Sequence, residues 1–144
     1  MHASNAEIET LTCKAAVGVG LPAGLAEDAG VAAAWLSGAG FAGADVACRA
    51  IENIRKGRAR PVIISGHTAS LCPDTKGKLA SVMYAAPSLF DFLQTTSRVT
   101  VARLDEPLLL FAHLVCSSSV RAMELVLHSV GSTGKVLQGV IQRG

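Results

Sequence analysis

The chain is poor in aromatic residues, in charge and in long apolar runs, and each shortage removes a class of function. Phe, Trp and Tyr make up 4% of its 144 residues, with a single tryptophan at Trp35. A formal charge of +2 is too small to hold a polyanion. The one basic concentration, Arg55-Lys56-Gly57-Arg58-Ala59-Arg60, has no aromatic side chains interleaved for base stacking. We therefore expect no nucleic-acid partner and read this segment as a solvated connector. No stretch approaches the ~20 uninterrupted apolar residues of a spanning helix. The longest run, Leu108 to Cys116, is broken by His113, so no membrane association is expected. The amino end shows no basic stretch followed by an apolar core and a cleavage site, which predicts a cytoplasmic protein.

Cysteine is sparse as well. Cys13, Cys48, Cys72 and Cys116 are scattered and form no C-x-x-C. Reduced, mostly buried thiols are expected rather than a disulfide framework. A zinc site wants about four ligands, often in paired short spacings, so no metal is expected. His113 and Cys116 share a helical face, but Leu109, Phe111 and Val115 around them make His113 a buried structural residue. No nucleotide loop is present. Gly18-Val19-Gly20 follows a helical pattern rather than a strand and lacks a third glycine, and Gly131 to Gly134 lacks the Lys-Ser ending of a P-loop. No cofactor is expected.

What the chain does have is small apolar residues. Half of it is hydrophobic, much of that alanine, and its length suffices to bury roughly 68–70% of the unfolded surface. One domain over 1–144 is expected, with a helical part at 1–57 and a strand-rich part at 61–144. Residues 6–54 read as three helices. Ser4 followed by Glu7 is a capping box, after which Ile8, Leu11 and Ala15 fall on one face. Gly18-Val19-Gly20 ends this helix and Pro22 starts the next, with Glu27 and Asp28 early enough to favour the positive dipole end. Leu25, Ala29, Ala32 and Leu36 form a narrow buried stripe, which predicts close helix pairing around Trp35. Gly38 and Gly40 close this helix. A third begins near Asp45 and carries Val46, Cys48, Ala50, Ile51 and Ile54.

Beyond the connector, 61–66 is β-branched and reads as a strand. Residues 67–78 read as a polar loop, 79–86 as a strand and 87–94 as a short helix opened by Pro87. A strand over 98–103, a helix over 108–116 and a strand over 121–129 follow, giving two helix-then-strand units about twenty residues apart. Gly131-Ser132-Thr133-Gly134 then turns into a last strand over 135–141, as in a hairpin. The sum is an α+β fold: an amino-terminal three-helix segment packed on a carboxy-terminal mixed or antiparallel sheet with two short helices. The late hairpin leaves an edge that a second subunit can pair with, so a homodimer is expected.

For catalysis the candidates are Cys72, beside Pro73, and His67 five residues earlier; a thiolate needs a base or a positive field to lower its pKa. The spacing alone does not place the two side chains together.

Gly20-Leu21-Pro22-Ala23-Gly24-Leu25-Ala26-Glu27-Asp28-Ala29-Gly30, with Glu7-Ile8-Glu9 before it and Trp35-Leu36 after, resembles the opening of a bacterial family known only as a domain of unknown function. Its members carry an amino-terminal helix pair with a Gly-Leu-Ala-Glu run and, later, a proline followed by leucines, matched here by Pro107-Leu108-Leu109-Leu110. The resemblance carries over no catalytic residue. A fainter similarity runs to the amino-terminal helices of malate and L-lactate dehydrogenases outside the Rossmann class. There a Ser-His-Gly turn supplies the catalytic histidine; here the matching place reads Gly43-Ala44-Asp45-Val46. The reading that follows is a ligand-binding or accessory module rather than an enzyme. The alternatives are a small thiol enzyme using Cys72 with His67, and a structural partner of a neighbouring enzyme.

Overall fold

The computed structural model describes residues 2–66, 70–117, 125–130 and 136–141. It is an α+β fold in which three helices, α1 (Asn5–Gly18), α2 (Ala23–Gly38) and α3 (Gly43–Arg55), precede a set of short strands and two further helices.

Helix α1 starts as its capping box dictates. The Glu7 amide donates to Ser4 Oγ at 3.3 Å, and the Ser4 amide donates to Glu7 Oε2 at 2.7 Å. The buried face is not the expected one. Leu11 is 62% exposed and Ala15 is exposed, whereas Thr12 and Ala16 are buried. The reason lies in the partner helix: α2 brings glycine and alanine to the contact, and only small side chains on α1 fit between two closely approached backbones. A Cβ on Gly30 would stand 2.6 Å from the Glu9 carbonyl oxygen, and one on Gly38 would stand 2.9 Å from Asn5 Nδ2. Those two meetings also set the helices antiparallel.

The α2 stripe buries Ala26, Ala29, Ala32 and Leu36, with Leu25 half-buried against the same core. Glu27 and Asp28 lie in the second turn, because the helix begins at Ala23; no acidic residue stands in the first. Partial burial, then Glu27 beside it, raises the Asp28 carboxyl above its ordinary pKa. Trp35 meets Phe111 of α5 (Pro107–Cys116) with the rings tilted at 60° and their centroids 6.1 Å apart. Helix α3 begins two residues before Asp45, with Ala42 at its cap and no side-chain capping bond. Its start is fixed instead by contact: a Cβ on Gly43 would fall 2.1 Å from the Ala33 carbonyl oxygen and 2.6 Å from Ser37 Oγ.

The strand region departs more from expectation. β1 (Ala59–Arg60) pairs in parallel with β4 (Leu79–Ala80), so the connector joins a small sheet rather than lying free. β2 (Val62–Ile64) is the expected strand. It pairs antiparallel with β3 (Ser70–Pro73), which occupies what was read as loop, and β3 pairs in parallel with β5 (Thr100–Val101). β5 is thus a remnant of the strand expected over 98–103. The strand expected over 79–86 ends at Ala80, and α4 (Val82–Leu93) takes the rest, running straight through Pro87. Val82, Met83, Ala85, Ala86 and Leu89 are buried along it, and this burial outweighs the backbone bond that Pro87 cannot donate.

β6 (Leu125–Val130) and β7 (Val136–Ile141) form the expected antiparallel hairpin, with Val130 opposite Val136; its turn and residues 121–124 lie outside the described residues. β5 and β6 lie in different sheets, so the two helix-then-strand units are not structural equivalents. The shared core draws Leu36 from α2, Val46 from α3, Leu71 from β3, Met83 from α4 and Leu109 and Leu110 from α5.

Candidate functional site

Helix α3 is strongly amphipathic. Its inner side carries Val46, Ala47, Ala50 and Ile51. The outer residues Cys48, Arg49, Glu52, Asn53 and Lys56 recur at helical spacing and form one wall of an open groove of about 430 Å³. Arg58 and Glu106 complete the lining. Arg58 is set by the helix exit: Gly57 turns at φ 66°, the Arg58 amide donates to the Asn53 carbonyl at 2.8 Å, and its own carbonyl accepts from Leu79 at 2.8 Å. Glu106 holds the N-cap position of α5, directly before Pro107, without a side-chain capping bond.

Two polar links hold the groove's far side to α3. Arg49 Nε donates to Glu106 Oε1 at 2.8 Å, with the guanidinium exposed and the carboxylate largely covered. Asn53 Nδ2 donates to Asp105 Oδ2 at 3.4 Å, and Asp105 Oδ1 accepts the Val82 amide at 2.9 Å. Asp105 therefore caps α4 from 23 residues downstream, while the Ser81 hydroxyl at the cap position itself is fully buried with no partner among the described residues. Burial raises the Asp105 carboxyl above its ordinary pKa against the lowering effect of these donors. Glu52 is the opposite case: Arg55 and Lys56 both donate to it and hold it down to about 2.

The lining presents three cations, Arg49, Lys56 and Arg58, against two carboxylates, Glu52 and Glu106. Arg49 is engaged by Glu106 and Lys56 by Glu52, whereas Arg58 has no ion-pair partner among the described residues. The arrangement can bind and orient an anion through a forked guanidinium, an ammonium and an amide.

The residues singled out beforehand lie elsewhere. Cys72 is half-buried on β3, opposite Ile63 of β2 and away from the groove; His67 lies outside the described residues. Cys48 is exposed, and Cys13, Cys72 and Cys116 are half-buried, so the expectation of mostly buried thiols is corrected; the four form no disulfide. His113 is 5% exposed, and burial lowers its pKa to about 4, as befits a structural histidine. Among the described residues no group of three or more His, Cys, Asp or Glu is placed to hold a metal ion, and no helix is long and apolar enough to cross a membrane. Sequence reasoning missed Arg49, Asn53, Asp105 and Glu106. The polar stripe at 48, 49, 52, 53 and 56 was the available signal for the first two.

A family model described as "Protein of unknown function (DUF3726)" matches residues 3–77, more than half of the chain. The chain belongs to this family. The DUF3726 match spans α1 to β3, so the α3 wall and Arg58 lie inside it and Glu106 outside. No curated protein and no solved structure matches the chain. The domain-of-unknown-function resemblance thus stands for this DUF3726 protein, whereas the dehydrogenase similarity finds no support.

Proposed function

We propose that the protein is a ligand-binding module whose groove between α3 and the start of α5 takes a small anion of the carboxylate or phosphate class. The observation that carries this reading is Arg58, the lining cation left without a carboxylate among the described residues, standing beside Lys56 and Asn53. A guanidinium on a groove rim offers paired donors to either oxyanion. The four thiols, none in a disulfide, suit a reducing bacterial cytoplasm, and the core shared by α2, α3, α4 and α5 suits a single folding unit over 1–144.

The test uses inorganic phosphate and citrate as probes. At tenfold the Kd, either should stabilise the protein by about 1.4 kcal/mol and raise Tm by about 4 °C. Each should also slow alkylation of Cys48, the exposed thiol in the groove, as read by peptide mass. Arg58→Gln should abolish both effects. An unchanged Tm and an unchanged Cys48 rate with both anions, or identical responses from Arg58→Gln, would sink the proposal. Cys72→Ser separates the thiol-enzyme alternative, which needs Cys72 and predicts no role for Arg58.

A further inference from the structure

β2 is the outer strand of a three-stranded sheet in the order β2-β3-β5. The Asp74 amide donates to the Pro61 carbonyl at 2.9 Å and the Ser65 amide to the Ser70 carbonyl at 2.8 Å. In an antiparallel ladder this alternation turns residues 61, 63 and 65 toward β3 and leaves the N–H and C=O groups of Val62 and Ile64 pointing to the open side. Neither Val62 nor Ile64 has a backbone partner there among the described residues. Ile63 is 51% exposed and Ile64 60% exposed, on opposite faces of the strand. Natural edges are guarded by short length, charges, bulges or internal proline, and β2, at three residues, has only the first of these. From Pro61 to Gly66 this one carries no charge, and its only proline lies before the strand begins.

We propose that this edge pairs with β2 of a second copy of the chain, antiparallel about a two-fold axis at Ile63. The open groups fit themselves in that register. Val62 of one copy faces Ile64 of the other, so each of the two pairs closes a hydrogen-bonded ring, while the two Ile63 side chains meet across the axis. The side chains fit as well. Val62 packs against its own core, whereas Ile64 on the same face runs past that core into solvent. The dyad lays the exposed Ile64 beside the partner's Val62 and so over the partner's core. Charge does not oppose the arrangement: Arg60 is bridged to Asp74 at 3.1 Å, and it lies three residues from the axis, so its two copies stand about 20 Å apart along the strands, beyond the ~8 Å screening length at physiological salt. Parallel pairing would set them side by side. This edge is β2 and not the late hairpin from which dimerisation was first expected. The contact falls well below the ~1,200 Å² of a standard interface, so the dimer is weak, with a Kd on the order of 0.1–1 mM.

Sedimentation velocity from 10 µM to 1 mM, with residue-resolved amide exchange, tests this. The weight-average mass should rise toward that of a dimer across the series. The Val62 and Ile64 amides should gain about two- to fivefold protection at the top concentration, the range that this Kd allows. Ile64→Lys should raise the Kd at least tenfold, and Leu11→Lys, at an equally exposed site on α1, should leave it unchanged; circular dichroism checks that both variants fold. A chain that stays monomeric to 1 mM, or a dimer that Ile64→Lys leaves intact, overturns the proposal. Protection that appears only on adding an unrelated extended peptide overturns it too, since the edge would then serve a foreign strand.

Discussion

The helical front and the strand region differ in what defines them. Between α1, α2 and α3 the backbones approach until a single Cβ would collide with a carbonyl oxygen, as at Gly30 and Gly43. Around β1 to β5 no strand exceeds four residues, and the geometry rests on backbone hydrogen bonds between distant segments, the Ala80 amide donating to the Arg103 carbonyl and the Asp105 amide to the Ala80 carbonyl. The first region is set by the size of its side chains and the second by polar pairing. A front built this way tolerates no added methyl group at those contacts, while the region behind tolerates change except where a buried polar group would lose its partner.

The largest expected effect asks whether the two regions fail together. Burial holds His113 neutral in the folded chain until about pH 4, whereas the unfolded imidazole titrates near 6.5. As pH falls from 6.5 toward 4 the unfolded state gains a proton that the folded state refuses, so stability is complete above 6.5 and declines through that window. The loss reaches about 3 kcal/mol at its limit. Urea melts at pH 7.0 and 4.5, followed by Trp35 fluorescence for the helix packing and far-UV circular dichroism for the whole, should show one coincident transition that His113→Leu makes much less pH-dependent. Separated transitions would divide the regions into independent units.

Next in size, Gly43→Ala should cost about 2–3 kcal/mol through overpacking against Ala33 and Ser37. Gly24→Ala, which meets nothing within 4 Å in helix α2, should stabilise by about 0.5–1 kcal/mol. Equal effects from the two would refute the account of the front. Smallest is the test of the polar region. Asp105→Ala strips the cap from Val82 and should cost about 1–2 kcal/mol, whereas Asp105→Asn keeps an acceptor, sheds the buried charge and should be neutral or slightly stabilising. A large loss in both variants would mean that the charge itself is required.

What could be read from the chain follows the same division. The Ser4–Glu7 box, the breaks at Gly18 and Gly38 and the α2 stripe are local signals, and all of them hold in the structure. Leu11 misled because a large hydrophobic side chain does not fit a face pressed against glycine. Residues 82–86 misled because their helix is capped by a side chain 23 positions away, which no local window contains. Cys72 drew attention as a loop thiol, yet β3 holds it by pairing with β2, a non-local event. The groove was half legible: its α3 wall is periodic, while Glu106 arrives from another element.

Asp105 also fixes an order of events during synthesis. A nascent chain that has emerged only to residue 100 holds every residue of α4 but not the carboxylate that completes its first turn. That turn therefore waits on later translation, and truncation between 94 and 104 should leave a frayed end exactly where Val82 and Met83 would otherwise be sealed into the interior.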